Sequence, residues 1–137
     1  MSVTVPVPVE YAAELAATAS ALVAPGKGVL SSDESAPTLA ARFEAAGVDG
    51  FEDDARRAYR ELLYATPELG TYVSGAILGA DMLFEQSAGG TPFVDLLNVQ
   101  GILPGVRVDA GDVQLPGAIA GETCSRGLDG LDERAAL

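Results

Sequence analysis

The sequence predicts an α/β fold in which helices pack against a short parallel β-sheet. Three short apolar runs begin near residues 28, 72 and 105, and they lack the strict alternation of a half-exposed strand. The chain between consecutive runs is long enough for a crossover helix. The 137 residues are 48% hydrophobic and 20% charged, which is enough apolar material for one folded domain.

The first part of the chain is predicted to form an extended arm, a helix and a strand. Residues 1–9 are rich in alternating valine and proline, which favours an extended arm. Apolar residues at helical spacing predict a helix from Glu10 to Val23, and the turn APGKG ends it. The apolar run GVLSS predicts a buried strand over residues 28–32.

Two helices are predicted between the first and second strands. The segment APTLAARFEAAG, residues 36–47, has apolar residues at helical spacing and Gly47 as its C-terminal stop. The segment FEDDARRAYRELLYA, residues 51–65, has acidic residues in its first turn, where they favour a helix N-terminus. Its Leu62 and Leu63 are predicted to lie on the apolar side of the helix.

The rest of the chain is predicted to contain two strands and two helices. The segment TYVSGAILGA predicts a second buried strand from Tyr72 to Leu78. The segment TPFVDLLNVQG predicts a short helix, with proline near its start and glycine after its end. A third strand is predicted from Val106 to Asp109 within PGVRVDAG, and the opening of a helix is predicted within LDGLDERAAL.

Composition excludes several classes of partner and of chemistry. The formal net charge is −12, from 20 acidic and 8 basic residues, so nucleic acid and anionic membrane surfaces are disfavoured as partners. Small anions remain possible ligands, because a few arginines act locally. The chain has no histidine and only Cys124, which excludes Ser-His-Asp catalysis and an internal disulfide. No signal peptide or membrane span is recognisable, so we expect the protein in the cytoplasm.

Polar residues follow the first predicted strand directly, at the tip where a ligand pocket would open. Asp33 and Glu34 are poor core residues there, although spacing alone favours a loop acid or helix cap at Asp33. The hydroxyls of Ser35 and Thr38 at the next helix N-terminus suit a phosphate, but capping explains them equally well. Arg107 within an apolar strand is more typical of a functional residue than of core filling.

Six stretches of the sequence resemble class I fructose-bisphosphate aldolases, in the order and with the spacing found in that family. They are LVAPGKGVLSSDES (22–35), RRAYRELL (56–63), YVSGAIL (72–78), GVRVDAG (105–111), LPGAIAGET (115–123) and GLDGLDER (127–134). The resemblance implies a partial (β/α)8 TIM barrel, with the first three βα units and an N-terminal helix. Residues 10–137 would form this incomplete aldolase-type barrel domain, after the arm over residues 1–9.

The resemblance implies an enzyme of glycolysis and gluconeogenesis. The family reversibly cleaves fructose 1,6-bisphosphate to dihydroxyacetone phosphate and glyceraldehyde 3-phosphate, through a Schiff base on a lysine and with no metal or other cofactor. The only lysine here is Lys27, in the turn before the first strand. We therefore expect an N-terminal fragment that lacks the Schiff-base lysine and is inactive alone. A companion chain or a homo-oligomer could complete the barrel.

The resemblance also assigns roles to individual residues. Asp33 stands at the position of a catalytic aspartate. The substrate-binding residues would be Ser35, Thr38, Arg42, Arg56 and Arg107. For Arg42 the alternative is a surface arginine on an exposed helical face. For Arg56 a solvated basic face shared with Arg57 and Arg60 is equally compatible. Glu34 matches either a partner of the Schiff-base lysine or a solvated carboxylate.

Three departures from the family pattern lie close to these residues. Arg107 replaces a family lysine, Ala41 replaces another lysine, and the segment at residues 79–81 replaces a family Phe-His-Glu. An alternative function is therefore a non-catalytic half-barrel module that binds a phosphosugar or a partner. Either way, three parallel strands leave open edges and an uncovered inner face, so we expect a marginal fold that associates.

Overall fold

The structure is a computed structural model that describes residues 9–48 and 52–135. The predicted arm lies outside the described residues, except for Val9, which begins the first helix. In chain order the elements are α1 (Val9–Leu22), β1 (Gly28–Ser32), α2 (Ala36–Ala45), α3 (Asp53–Tyr64), α4 (Leu69–Tyr72), β2 (Val73–Leu78), α5 (Phe93–Asn98), β3 (Leu103–Val106), β4 (Asp112–Gln114), β5 (Thr123–Ser125) and α6 (Leu131–Ala135).

The central sheet contains β1, β2 and β3 in that order, and all of its strands are parallel. This confirms the predicted α/β fold with a parallel sheet. Ser32 of β1 lies level with Leu78 of β2, and Leu78 lies level with Val106 of β3. The residues that follow the three strands therefore emerge together at one edge, which we call the carboxyl edge.

One face of the sheet carries the hydrophobic core. Ala76 and Leu78 of β2 are buried against Phe93 and Leu97 of α5 and Tyr64 of α3. The rings of Tyr64 and Phe93 meet edge to face, with their centroids 5.2 Å apart. Full burial of an apolar side chain of this size contributes about 1.5–3 kcal/mol, so these few residues hold the helices on the sheet.

The opposite face of the sheet, which we call the inner face, is much less covered. Val29 of β1 lies level with Gly75 of β2, and Gly75 lies level with Leu103 of β3. Helix α1 reaches this face through Leu22, whose Cδ2 atom would lie 2.5 Å from a Cβ at Gly75. Val29 nevertheless remains about half exposed, so an apolar surface of the sheet is open to solvent.

Helix α2 begins and ends where the sequence predicted. Ser35 is its N-cap, and the Ser35 hydroxyl accepts a hydrogen bond from the backbone N–H of Thr38 at 3.4 Å. At the other end Gly47 adopts a positive φ of 68°. The N–H of Val48 then bonds to the carbonyl of Phe43, which completes a Schellman ending. The predicted glycine stop is confirmed.

Helix α3 buries a different face from the one predicted. Its buried residues are Arg60 and Tyr64, whereas Leu62 is exposed, so the expected apolar position of Leu62 is wrong. Residues four apart share a helical stripe, while a residue two positions away points to the other side. Leu63 does pack against the core as predicted.

The third strand lies three residues earlier than predicted, at Leu103–Val106 instead of Val106–Asp109. Pro104 and Gly105 signalled a turn, but Pro104 sits in an edge strand, where a missing N–H is tolerated. The N–H of Arg107 donates the next ladder bond to the carbonyl of Leu78 at 3.0 Å. Arg107 therefore follows the strand and does not lie within it.

The start of the second strand and the hairpin after the third strand also differ from the sequence prediction. Tyr72 ends the short helix α4 and does not begin the second strand. Strands β4 and β5 pair antiparallel as an exposed hairpin, which the sequence reading missed because each strand has only three residues. The predicted helix opening near the end of the sequence is present as α6.

Candidate active site at the carboxyl edge

An open cleft of about 440 Å³ lies at the carboxyl edge of the sheet. Each of the three strands contributes the residues that directly follow it, and helix α3 contributes two arginines. The lining residues are Asp33, Glu34, Ser35, Ala36, Arg56, Arg60, Gly79, Ala80, Asp81, Arg107 and Asp109. Four of the six residues to which the resemblance assigned catalytic or substrate-binding roles therefore share one cleft, namely Asp33, Ser35, Arg56 and Arg107, and Glu34 lies there with them.

Asp33 and Arg107 meet across the middle strand. Arg107 Nη1 donates to the backbone oxygen of Asp33 at 3.2 Å and lies 3.8 Å from its Oδ2 atom. The hydroxyl of Ser31 donates to Asp33 Oδ1 at 2.7 Å, and this bond orients the carboxylate. Two strand spacings separate β1 from β3, roughly 10 Å, so only a long side chain spans them. Gly79, which follows β2, has no side chain in that path.

Glu34 lies between two arginines from different helices. Arg60 Nη1 of α3 donates to Glu34 Oε2 at 2.6 Å, and Arg42 Nη1 of α2 donates to Glu34 Oε1. The side chains of Arg60 and Glu34 are only 4% and 11% exposed. Burial by itself would raise the pKa of Glu34, but the hydrogen bond from Arg60 and the charges of both arginines hold it below its usual value.

Two expectations from the sequence are corrected by this arrangement. Arg60 does not belong to a solvated basic face, and Glu34 is not a solvated carboxylate. Unpaired burial of either charge would cost several kcal/mol, so each requires the other. The four-residue spacing of Arg60 and Tyr64 places both on one side of α3, and this spacing could have predicted that Arg60 is buried. Its partner, Glu34, comes from another segment, so the sequence around Arg60 does not reveal the ion pair.

A buried hydrogen-bond chain connects α3 to the end of β1. The hydroxyl of Ser32 donates to the carbonyl of Ile77 at 2.7 Å, so the Tyr64 hydroxyl donates to Ser32 Oγ at 2.8 Å. Burial raises the pKa of Tyr64, and the nearby carboxylates of Glu34 and Asp81 add to the increase. Tyr64 therefore remains a neutral donor that fixes the helix on the strand next to Asp33.

Arg56 is held by two carboxylates at the side of the cleft. Its Nη2 atom lies 2.5 Å from Asp81 Oδ2, and its Nη1 atom lies 3.1 Å from Asp53 Oδ1. Asp81 follows β2 and was noted in the sequence only as part of a departure from the family pattern. Its position directly after a strand at the carboxyl edge was a signal that could have identified it.

Thr38 and Arg42 do not line the cleft. The hydroxyls of Ser35 and Thr38 lie 2.9 Å apart and cap the start of α2 together. Arg42 is exposed on the same helix and reaches Glu34 with its guanidinium group. The structure thus places these residues beside the cleft, Thr38 about one helical turn and Arg42 about two turns from Ser35 at its rim.

Lys27 lies at the other end of β1 from Asp33. Its ammonium group donates to the carbonyl of Gly70 in helix α4. Six residues of extended chain separate the two positions, which corresponds to about 20 Å. Lys27 is the only lysine in the sequence, so none of these 137 residues brings a primary side-chain amine into the cleft.

The described part of the chain has neither a grouped set of metal ligands nor a membrane-spanning helix. Over residues 9–48 and 52–135 no three His, Cys, Asp or Glu side chains are grouped so that they could hold a metal ion. In the same part of the chain no helix is both long enough and apolar enough to span a membrane.

Comparisons with known proteins point to one family. The sequence model described as "Fructose-bisphosphate aldolase class-I" matches residues 14–137. A probable fructose-bisphosphate aldolase class 1 of Xanthomonas axonopodis pv. citri is 47% identical over 88% of this chain and 36% of its own length. Fructose-bisphosphate aldolase 1 of Toxoplasma gondii is 47% identical over 94% of this chain and 35% of its own length.

The fold gives the same result. A crystal structure of fructose-bisphosphate aldolase from Plasmodium falciparum, in complex with TRAP and a small-molecule inhibitor, superposes with a TM-score of 0.88 at 42% identity. The match covers 98% of this chain and 38% of the other. The chain thus spans little more than a third of the length of the relatives it matches.

Proposed function

The chain belongs to the class I fructose-bisphosphate aldolase family, and from this premise we propose that its cleft is part of an aldolase active site. The reaction is the reversible cleavage of fructose 1,6-bisphosphate to dihydroxyacetone phosphate and glyceraldehyde 3-phosphate. The observation that carries the proposal is the contact between Asp33 and Arg107. It joins an acid with a phosphate-binding cation at the edge where barrel enzymes hold their active sites.

Asp33 has the catalytic role in this proposal. A carboxylate at this position accepts hydrogen bonds from substrate hydroxyls and pairs with a protonated amine. Ser31 orients the carboxylate of Asp33, and the guanidinium group of Arg107 lies beside it, so the carboxylate is positioned to accept hydrogen bonds from a ligand. Arg107 adds a planar guanidinium group that can hold a phosphate through two parallel hydrogen bonds.

The other substrate-binding residues would contact the phosphate groups and hydroxyls from the rim. Ser35 and Arg56 line the cleft, whereas Thr38 lies about one helical turn and Arg42 about two turns from Ser35. Arg42 would have to release Glu34 in part to reach a ligand. Because Arg60 also holds Glu34, that release leaves no buried charge unpaired.

The amine that forms the Schiff base must come from outside these 137 residues, since Lys27 lies at the far end of β1. We propose that this polypeptide is a partial (β/α)8 barrel that does not catalyse the cleavage alone. Its open inner face would be completed by a companion chain or a homo-oligomer, in the cytoplasm. Nucleic acid and membranes are not proposed as partners, in accordance with the net charge of −12.

Substrate binding is tested by titrating the 15N-labelled chain with dihydroxyacetone phosphate and following its amide resonances. We expect shifts at Asp33 and Arg107, and little change at Lys27. Arg107→Met should weaken binding about tenfold or more, because a charge-assisted hydrogen bond is lost. Arg57→Met is the matched control, since Arg57 pairs with Asp54 one turn away on α3. Equal weakening by both variants would contradict the proposal.

Catalytic competence is tested by borohydride reduction in the presence of dihydroxyacetone phosphate, followed by intact mass spectrometry. We expect an unmodified mass, because a Schiff base requires an amine in the pocket and Lys27 is not there. A stoichiometric adduct on Lys27 would show instead that this turn belongs to a working site.

The alternative function is a non-catalytic half-barrel that binds a phosphosugar or a partner. The absence of a lysine from the cleft favours it as far as these 137 residues are concerned. An experiment that distinguishes the two functions is to mix the chain with a polypeptide carrying the remaining strands of an aldolase relative and to measure cleavage of fructose 1,6-bisphosphate. Restored cleavage of fructose 1,6-bisphosphate supports the enzyme, whereas binding without any cleavage supports the module.

A further inference from the structure

We propose that Asp81 is a positioning residue that sets the affinity of the cleft for phosphate by occupying the guanidinium group of Arg56. The inference rests on the proposed function, because it concerns the same cleft and the same class of ligand, a small phosphate ester. Asp81 acts in it as an internal anion that an incoming phosphate must displace.

The geometry of the ion pair is the first observation. Asp81 Oδ2 lies 2.5 Å from Arg56 Nη2, and the pair joins the segment after β2 to helix α3 across 25 positions of sequence. The side chain of Arg56 is only 23% exposed and lines the cleft. Its second carboxylate, Asp53, is 98% exposed, where water screens the interaction. Of these two carboxylates, Asp81 is therefore the stronger competitor with an incoming anion for the guanidinium group of Arg56.

Gly79 provides the second observation. A Cβ atom at this position would lie 2.5 Å from Asp81 Oδ1, closer than such atoms approach in proteins. Only a glycine leaves room for the carboxylate in its present position beside Arg56. Gly79 and Ala80 both line the cleft, so small residues surround the ion pair on this side.

Arg56 is also better suited to exchange its partner than Arg60. The carboxylate of Glu34 is 11% exposed, and if an anion took Arg60 it would keep only the pair with Arg42, whose side chain is 56% exposed. The carboxylate of Asp81 is 54% exposed, so it can turn into water when a ligand arrives. A phosphate ester carries up to two negative charges at neutral pH, which allows it to displace a carboxylate with one.

The test compares the affinity of variants for dihydroxyacetone phosphate and for inorganic phosphate, measured by the same amide titration at constant ionic strength. Asp81→Asn should bind both anions about two- to fivefold more tightly, the factor that corresponds to a partly exposed ion pair. Asp54→Asn is the matched control, since it removes the same charge from a carboxylate that pairs with Arg57 on the same helix. It should leave both affinities unchanged.

A second variant tests whether the position of the Asp81 carboxylate matters as well as its charge. Gly79→Ala keeps the net charge but forces the Asp81 carboxylate away from its site, so it should also increase affinity. The gain should disappear when Asp81→Asn is combined with Arg56→Met. The proposal is overturned if Asp81→Asn gives no gain, if Asp54→Asn gives the same gain, or if the gain survives in the double variant.

The outcomes also distinguish this inference from the proposed function. Binding of dihydroxyacetone phosphate without any gain in Asp81→Asn contradicts the role of Asp81 and leaves the aldolase site in place. A gain for both anions, with no preference for dihydroxyacetone phosphate over inorganic phosphate, supports the role of Asp81 and contradicts a sugar-phosphate site. The dispersion of each variant's amide spectrum shows whether it is folded.

Discussion

At the residue scale, the ion pair between Glu34 and Arg60 is the most consequential contact of the cleft. The two side chains come from different elements, and both are nearly inaccessible to solvent. Arg60 Nη2 also lies 3.5 Å from the backbone oxygen of Glu34, so the arginine contacts both the side chain and the main chain. Because Glu34 directly follows Asp33, this pair fixes the backbone that presents the proposed catalytic carboxylate.

Removing one partner of this pair should destabilise the protein strongly. We expect Arg60→Met to lower the free energy of unfolding by about 3–5 kcal/mol, because it leaves the Glu34 charge buried without its main partner. Arg57→Met removes a surface pair and should cost about 1 kcal/mol or less. Urea unfolding followed by circular dichroism measures both, and equal losses would contradict the special role of Arg60.

The same pair predicts a pH dependence. The pKa of Glu34 is lower in the folded chain than in the unfolded chain, so its stabilising contribution is complete above the unfolded value, about 4.3. That contribution is lost as the pH falls through the lower folded value. We therefore expect Glu34→Gln to have a shallower loss of stability below pH of about 4 than the unaltered chain. Urea midpoints measured between neutral pH and pH 3 test this, and parallel curves would contradict it.

At the element scale, helices α4 and α5 approach each other so closely that only a glycine fits at the contact. A Cβ atom at Gly70 would overlap the backbone oxygen of Gln100, just beyond the end of α5. The side-chain amide of Gln100 donates to the carbonyl of Tyr64 at 2.7 Å, which joins the same point to the end of α3. Three helices are therefore fixed together at the amino edge of the sheet, opposite the cleft.

Gly70→Ala should separate these elements. We expect a loss of about 1–3 kcal/mol, the usual cost of overpacking, because the added methyl group meets backbone and not a flexible side-chain end. Gly89→Ala is the control, since its nearest contact is an ordinary 3.7 Å from the hydroxyl of Ser87. Thermal unfolding of both variants provides the comparison, and an unchanged midpoint for Gly70→Ala would contradict the close contact.

The elements that the sequence predicted well are those with local signals. Ser35 and Gly47 mark the ends of α2 through capping chemistry that is encoded within a few residues. The third strand was misplaced because its position depends on pairing with β2, and the local signal of Pro104 pointed to a turn. Likewise, neither the pairing of Arg60 with Glu34 nor the contact of Asp81 with Arg56 could be predicted locally, because the partners of each pair lie at least 25 positions apart.

At the scale of the whole molecule, the two faces of the sheet have different environments. The outer face is closed by helices around Leu78, which is fully buried, while the inner face leaves Val29 about half exposed. An apolar surface of this kind favours association with other apolar surfaces. It is the surface that further strands of a barrel would cover under the proposed function.

A charge on the inner face should therefore be tolerated. We expect Val29→Glu to change the free energy of unfolding by about 0.5 kcal/mol or less and to reduce concentration-dependent association. Leu78→Glu, on the same sheet but in the closed core, should abolish folding, because it buries an unpaired charge. Sedimentation velocity and circular dichroism distinguish these results. Unfolding of Val29→Glu would show that the inner face is covered in solution.

The contact between Arg107 and Asp33 also bears on how the protein is made. These residues lie 74 positions apart, and the contact joins the first strand to the third. During translation the first strand leaves the ribosome before Arg107 has been synthesised, and chains generally begin to fold from the N-terminus. Over that interval the carboxylate of Asp33 lacks this cationic partner, so the nascent chain is more acidic here than the finished one. Under the proposed function, the order of synthesis alone would therefore delay binding of an anion until the third strand is in place.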